Sequence, residues 1–318
     1  MQQTSGLSWL IKCAGVAAML MLACGLATAR FGSALQQPTV TTRDGSLITL
    51  NRYIREPLPD LALVGSSVAW RLKEELFLRP RVRNLSLAGG TPVTSLDIIA
   101  RQTSLPKTIL IETNVLTRAP DEALIEKFSN RTHTEALFLR PVRTAIAAYE
   151  TWHHKPPTGA DARAGRDRLL SEPPSTFDNK VYLDRAIEQM NDEDPTVQTR
   201  ASVARIKELI DDLERRGSRV LLLEIPLAPE IEESRMVVTS KAIVRAAFPD
   251  RARWLPIRPP MSELRWADGV HLDERSALLV VRAIESALVE RGQSRLHRGG
   301  RHATVNHDRL PRHEARGV

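Results

Sequence analysis

Residues 266–273 read WADGVHLD, with an aspartate and a histidine three apart just ahead of a long apolar helix. A histidine that accepts a proton from a nucleophile needs an acid to fix its tautomer and stabilise the imidazolium. Asp268 is spaced to do this for His271. The nucleophile must come from far upstream, where LALVGSSV closes an apolar run in Gly65-Ser66-Ser67. A serine at a strand-to-helix turn is presented at the top of a sheet, and the start of the following helix favours developing negative charge. Gly65 suits such a turn through its backbone freedom and small size. A tetrahedral oxyanion also needs donors aimed at one point, and the amide of Gly89, the side chain of Asn114 and the amide of Ser67 are the candidates. Loss of one such donor typically slows a hydrolase ~100- to 1,000-fold. The same residues have plainer readings: Gly-Ser-Ser and Asp-Gly are common turns, Asn114 can cap a turn, and Asp273 or Glu274 can start the last helix.

These side chains meet only if the chain brings strand ends together. Short apolar runs ended by glycine or polar residues predict strands at 61–64, 82–87 and 107–114, at 218–226, and a short fifth at 253–257. Helical spacing follows them over VAWRLKEELF, over PVTSLDIIARQ, over 201–217, and over 274–292, the last two closed by Gly217 and Gly292. Strands alternating with helices imply an α/β fold, a doubly wound, flavodoxin-like three-layer sandwich of about five parallel strands. In such a sheet the ligand site lies outside the carboxyl ends of the strands. Serine, glycine, asparagine, aspartate and histidine gather at that one edge.

The set resembles the SGNH, or GDSL-type, hydrolase superfamily, whose blocks run in this order. LVGSS stands where that family has a strand ending in Gly-Asp-Ser, which gives Ser67 the nucleophile's position, with Ser66 as the alternative. NLSLAG resembles the second block, N-x-G-x-x-G, and assigns the oxyanion glycine to Gly89, although Ser86 replaces the block's first glycine. ETNV resembles G-x-N-D and assigns its asparagine to Asn114, with the glycine and final aspartate absent. Asp268-Gly-Val-His271 matches D-x-x-H in full. The resemblance covers roughly 58–118 and 200–291, and it implies a Ser67–His271–Asp268 triad and no cofactor. Gly-Ser-Ser with an N-terminal anchor is similar to the branch that works at the cell envelope as O-acyltransferases or esterases. These take an acyl group on serine and pass it to a sugar hydroxyl or to water. The implied function is a serine esterase or O-acyltransferase on acylated polysaccharide or a small acyl ester, with a membrane protein as a possible acyl supplier. The alternative is a relative that binds glycan or assists assembly without turnover.

The N-terminus reads CAGVAAMLMLACGLATA over 13–29 with no charge. Counted from Leu7, the run reaches the ~20 residues that span a bilayer, with Lys12 able to snorkel. The expectation is a single-pass inner-membrane anchor over 1–30 with the rest of the chain periplasmic. Cleavage after Ala27-Thr28-Ala29 is the alternative, giving a secreted protein, and lipidation at Cys24 is a weaker third. Both cysteines, Cys13 and Cys24, lie in this segment, so the remainder has no disulfide. Residues 31–57 read as a linker and 58–291 as the hydrolase-like domain.

The net charge of +7 is not a nucleic-acid signal, because the stretch 292–318 carries six arginines against Asp308 and Glu314. That stretch reads as a basic, disordered tail. The insert at 119–199 is least informative: 136–152 has helical spacing, 153–167 reads as loop, and the whole can cap the site and select an acceptor. His153-His154 does not amount to a metal site, because adjacent histidines do not share a helix face and no acid or thiol cluster accompanies them. Tyr149 and Trp152 suit either a sugar ring or the core.

Overall fold

The computed structural model describes residues 3–31, 42–78, 81–129 and 159–303, together with 146, 149, 152 and 153. It has an α/β fold with one four-stranded, all-parallel sheet and an N-terminal apolar helix. The strands are β1 (Leu61–Val64), β2 (Val82–Asn84), β3 (Thr108–Glu112) and β4 (Arg219–Leu223), in the order β2-β1-β3-β4. Alternate side chains of each strand face opposite ways. Leu61, Leu63, Leu110, Leu221 and Leu223 enter one apolar cluster, with Val280, Val281 and Ile284 of the Glu274–Ala303 helix. Ala62, Val64, Ile109, Ile111, Val220 and Leu222 enter a second cluster, with Leu96 and Ile99 of the Pro92–Ala100 helix and Ile206 and Ile210 of the Thr196–Arg215 helix. Burial on both faces is why these strands read as unbroken apolar runs rather than alternating ones.

A fifth strand at 253–257 is not confirmed. At 253–257 there is one parallel bridge, Leu222 to Trp254, supported by the Leu255 amide donating to the Leu222 carbonyl at 2.8 Å. Pro256 comes next and has no N–H to continue a ladder. Two other elements are shorter than their patterns suggest. β2 stops at Asn84, whose Oδ1 accepts the Ser86 amide at 2.9 Å and turns the chain out of the strand. The helix after the Gly65 turn covers only Ser67–Trp70, and beyond it Asn84 Nδ2 donates to the carbonyls of Ala69 (2.7 Å) and Leu72 (2.9 Å). A 3₁₀ turn at Glu74–Leu76 follows.

Part of the stretch read as a linker, 31–57, is helical. Thr42–Arg55 is a helix that buries Leu50, Tyr53 and Ile54 against the second cluster, at a three-and-four spacing that marks a helix face. Its end is held by Arg83, which reaches both Glu56 and Glu74, and by Arg52, which pairs with the same two acids. A further helix not expected from the sequence, Arg235–Ala247, buries Met236, Val237 and Val244.

In the insert, Gly159–Ser171 is helical where 153–167 was expected to be loop, and a second helix spans Lys180–Asp192. The helix expected at 136–152 and His154 fall outside the described residues apart from the four named positions. Tyr149 and Trp152 are exposed, not core, and Tyr149 lies 4.3 Å from the His153 ring. The last helix does not close at Gly292 but continues to Ala303, and 304–318 lies outside the described residues. At the other end, the 22-residue stretch Gly6–Ala27 of the Gln3–Phe31 helix is apolar enough to cross a membrane, and none of it is buried against the protein.

Candidate active site

β1 leads into Gly65, and the space there dictates the residue. A side-chain carbon on Gly65 would lie 2.6 Å from Ala69 Cβ and 2.9 Å from Glu112 Cβ and Oε2. Ser66 follows in extended conformation and caps the short helix, its hydroxyl accepting the Val68 amide at 3.2 Å. It is fully buried. Ser67 is the first helical residue, and its Oγ lies 2.8 Å from His271 Nε2. Of the two serines, the structure puts Ser67 against the imidazole and makes Ser66 a helix cap.

His271 sits on a tight reverse turn closed by an antiparallel bridge between Trp266 and Leu272, with the Ala267 amide donating to the His271 carbonyl at 2.8 Å. Within it Asp268 does two things. Oδ1 accepts the amides of Val270 (3.1 Å) and His271 (2.7 Å), which shapes the turn, and Oδ2 lies 2.7 Å from His271 Nδ1. Burial pushes the Asp268 carboxyl up. The hydrogen bond to the His271 ring and those from the two amides outweigh it and hold the carboxyl at about 2. Asp268 is therefore ionised at neutral pH and keeps the proton of His271 on Nδ1, which leaves Nε2 free to accept one from Ser67. Gly269 takes φ +85 and is pressed against the insert, where a side-chain carbon would lie 2.5 Å from Leu183 Cδ1. Asp273, the other acid of the motif, starts the last helix, its Oδ1 accepting the Ser276 amide at 2.8 Å.

The oxyanion candidates are placed differently. Asn114 Nδ2 donates to the Ile225 carbonyl at 2.7 Å and Oδ1 accepts the Ile225 amide at 2.9 Å, so this side chain stitches the end of β3 to the chain after β4. One N–H of Nδ2 is left over. Gly89 takes φ +77 and lines a separate hollow with Thr42, Ser46 and Asp121, and Arg118 Nη1 passes 3.6 Å from where its side-chain carbon would stand. The structure thus brings Ser67, His271 and Asp268 together and does not put Gly89 or the paired edge of Asn114 in the same cavity.

That cavity, about 280 Å³, opens over Ser67, Asp268 and His271. Val115, Val270, Met190 and Met236 give it apolar walls, and Tyr182, Arg185 and Met190 come from the Lys180–Asp192 helix of the insert. The insert also grips the histidine turn, as Asn179 Nδ2 donates to the Trp266 carbonyl at 2.6 Å. Three residues of the site were not expected from the sequence: Arg118, Arg185 and Glu112. Arg118 follows Asn114 by one turn's length, and Arg185 lies on an amphipathic helix without a distinguishing pattern. Glu112 did leave a trace, as an acid at the end of the apolar run TILIE.

Glu112 is fully buried. Its Oε2 accepts the Ser66 amide at 2.7 Å, and its Oε1 accepts the amides of Asn114 (2.5 Å) and Val115 (3.1 Å). Burial pushes its carboxyl up against the opposing pull of these donors. No protein-family model matches this chain, and no curated protein matches it.

Proposed function

We propose that this chain is a membrane-anchored serine esterase or O-acyltransferase of the SGNH type, acting outside the cytoplasm on acylated polysaccharide or another acyl ester. The observation that carries this reading is the continuous series Ser67 Oγ, His271 Nε2, His271 Nδ1, Asp268 Oδ2, with steps of 2.8 and 2.7 Å over a cavity. Those are the contacts a serine nucleophile needs with its base, and the base with its orienter. The doubly wound, flavodoxin-like sandwich is part of the proposal. The strand order is the first part of the 2-1-3-4-5 order of such sheets, and the Trp254 bridge stands where a fifth strand would pair.

In the proposed mechanism Ser67 Oγ attacks the ester carbonyl while His271 Nε2 takes its proton, and Asp268 stabilises the imidazolium formed. The oxyanion of the tetrahedral intermediate is met by the Ser67 amide and the spare N–H of Asn114, while Gly89, the family's other donor, lines the neighbouring hollow instead. Collapse expels the alcohol, which receives the proton from His271, and leaves an acyl-Ser67. Water or a sugar hydroxyl, deprotonated by the same imidazole, then attacks the acyl carbonyl and frees the serine. Hydrolysis and transfer share every step except the identity of this second nucleophile, and transfer requires an acyl donor on the outer face of the membrane.

The test is p-nitrophenyl acetate turnover by the detergent-solubilised full chain, beside Ser67→Ala, Ser66→Ala and His271→Ala. Turnover that persists in Ser66→Ala and vanishes in the other two is the expected result. A folded wild type no faster than His271→Ala would overturn the esterase reading.

A further inference from the structure

The cavity over Ser67 carries a charge pattern that ester chemistry alone does not require. Arg118, from the turn after β3, and Arg185, from the Lys180–Asp192 helix, both line it, beside apolar side chains such as Val115, Met190 and Met236 and neutral polar ones such as Thr117 and Gln189. Among the described residues neither guanidinium has a carboxylate partner. Some other arginines are tied down, as Arg83 is to Glu56 and Glu74 and Arg205 to Asp97 at 2.6 Å; what sets Arg118 and Arg185 apart is that both line the cavity holding Ser67. The acids lining the cavity are Asp268, whose Oδ2 is committed to His271, and Glu193 at the end of the insert helix, which forms no ion pair with either arginine among the described residues. With Asp268 balancing an imidazole that becomes charged during proton transfer, the remaining wall is positive.

From this juxtaposition we infer that the ester handled at Ser67 carries an anionic group, a carboxylate or a phosphate, bound by Arg118 and Arg185. The inference rests on the esterase reading above. A guanidinium presents N–H donors in a planar fork that fits either oxyanion. The two arginines come from distant parts of the chain, one from the sheet edge and one from the insert, so an anion between them also fixes the insert over the site. The cavity, about 280 Å³ and open to solvent, has room for roughly a sugar ring and a short acyl group. The apolar walls take the acyl chain and the arginines take the charge, which orients the carbonyl toward Ser67 Oγ.

The test uses three probes that share one ring: glucose, glucuronate and glucose 6-phosphate. Each is titrated calorimetrically into full-length Ser67→Ala and assayed as an inhibitor of p-nitrophenyl acetate turnover by the wild type. We expect one or both anions to bind at least about tenfold more tightly than glucose, the size of one charge-assisted hydrogen bond. The preference should shrink as salt rises. It should disappear in Arg118→Gln and Arg185→Gln, and survive in Arg251→Gln at an exposed position outside the cavity. Carboxylate over phosphate, or the reverse, names the source of the charge. Equal binding of all three sugars overturns the inference, and if p-nitrophenyl acetate is still turned over, the esterase reading stands without it. An arginine-dependent anion preference in a protein with no turnover supports the anion site and overturns the esterase reading instead.

Discussion

The Glu112 carboxylate accepts the backbone amide of Ser66 at 2.7 Å, across 46 residues of sequence and wholly out of solvent. With its other oxygen it holds the amides of Asn114 and Val115. One acid thereby ties the turn after β1, which carries Ser67, to the turn after β3. Gly65 has no side chain because this carboxylate occupies the space.

Glu112→Gln is expected to damage this tie despite its equal size, because its NH₂ must face at least one backbone N–H. An unpaired buried donor costs about 1–3 kcal/mol. The expected outcome in urea unfolding is a loss of that order, with kcat falling more than KM rises because the serine turn is displaced. Unchanged stability and kcat would show that Glu112 does not position the serine.

The two serines separate by what each hydroxyl touches. Ser66→Ala should lose about 0.5–2 kcal/mol of stability through the missing cap and retain esterase turnover. Ser67→Ala should leave the melting temperature nearly unchanged while turnover falls ~10⁴-fold or more. Melting curves and initial rates on the same preparations check both.

Asp268→Asn tests the orienting acid. The amide can present its NH₂ to the ring and stabilise the wrong tautomer, and a drop of ~10⁴-fold in kcat is expected. The pH dependence has a definite sign. A carboxyl held at about 2, below the ordinary 3.8, contributes stability above its ordinary value, and this is lost as pH falls through about 2. The wild type should therefore exceed Asp268→Asn in stability at about pH 5, with the gap closing on acidification toward pH 2.

Gly269→Ala is strained in backbone and crowded in space. At φ +85 an L side chain costs about 1–2 kcal/mol. Its carbon also meets Leu183 Cδ1, the end of a side chain that can swing aside. A loss of about that size is expected in thermal unfolding, together with reduced turnover as the His271 turn moves. Adding Leu183→Ala should not restore stability, since the backbone strain remains.

Much of the site was legible in local residue order. Asp268 and His271 are three apart, so one tight turn sets their geometry almost by itself, and Gly-Ser-Ser after an apolar run marks a strand-to-helix turn. β1, β3 and β4 announced themselves because both faces are buried, which leaves no polar residue within the run. The failures have local causes too. Pro256 leaves only one bridge at the fifth strand's place, the Asn84 side chain binds the carbonyls of Ala69 and Leu72 where the Ser67 helix ends, and Gly292 without a positive φ did not end the last helix.

What the sequence determined by itself was therefore the set of elements and the pair of residues joined by a short turn, because periodicity and turn chemistry act over a few residues. Only the tertiary structure decided that Ser67 rather than Ser66 meets His271 and that Asn114 spends its amide on Ile225. It also decided that Glu112 underlies the serine turn and that Arg118 and Arg185 face one cavity. Each of these joins parts of the chain that approach only when the parallel sheet stacks its strand ends on one edge, and no spacing within a single element encodes that approach.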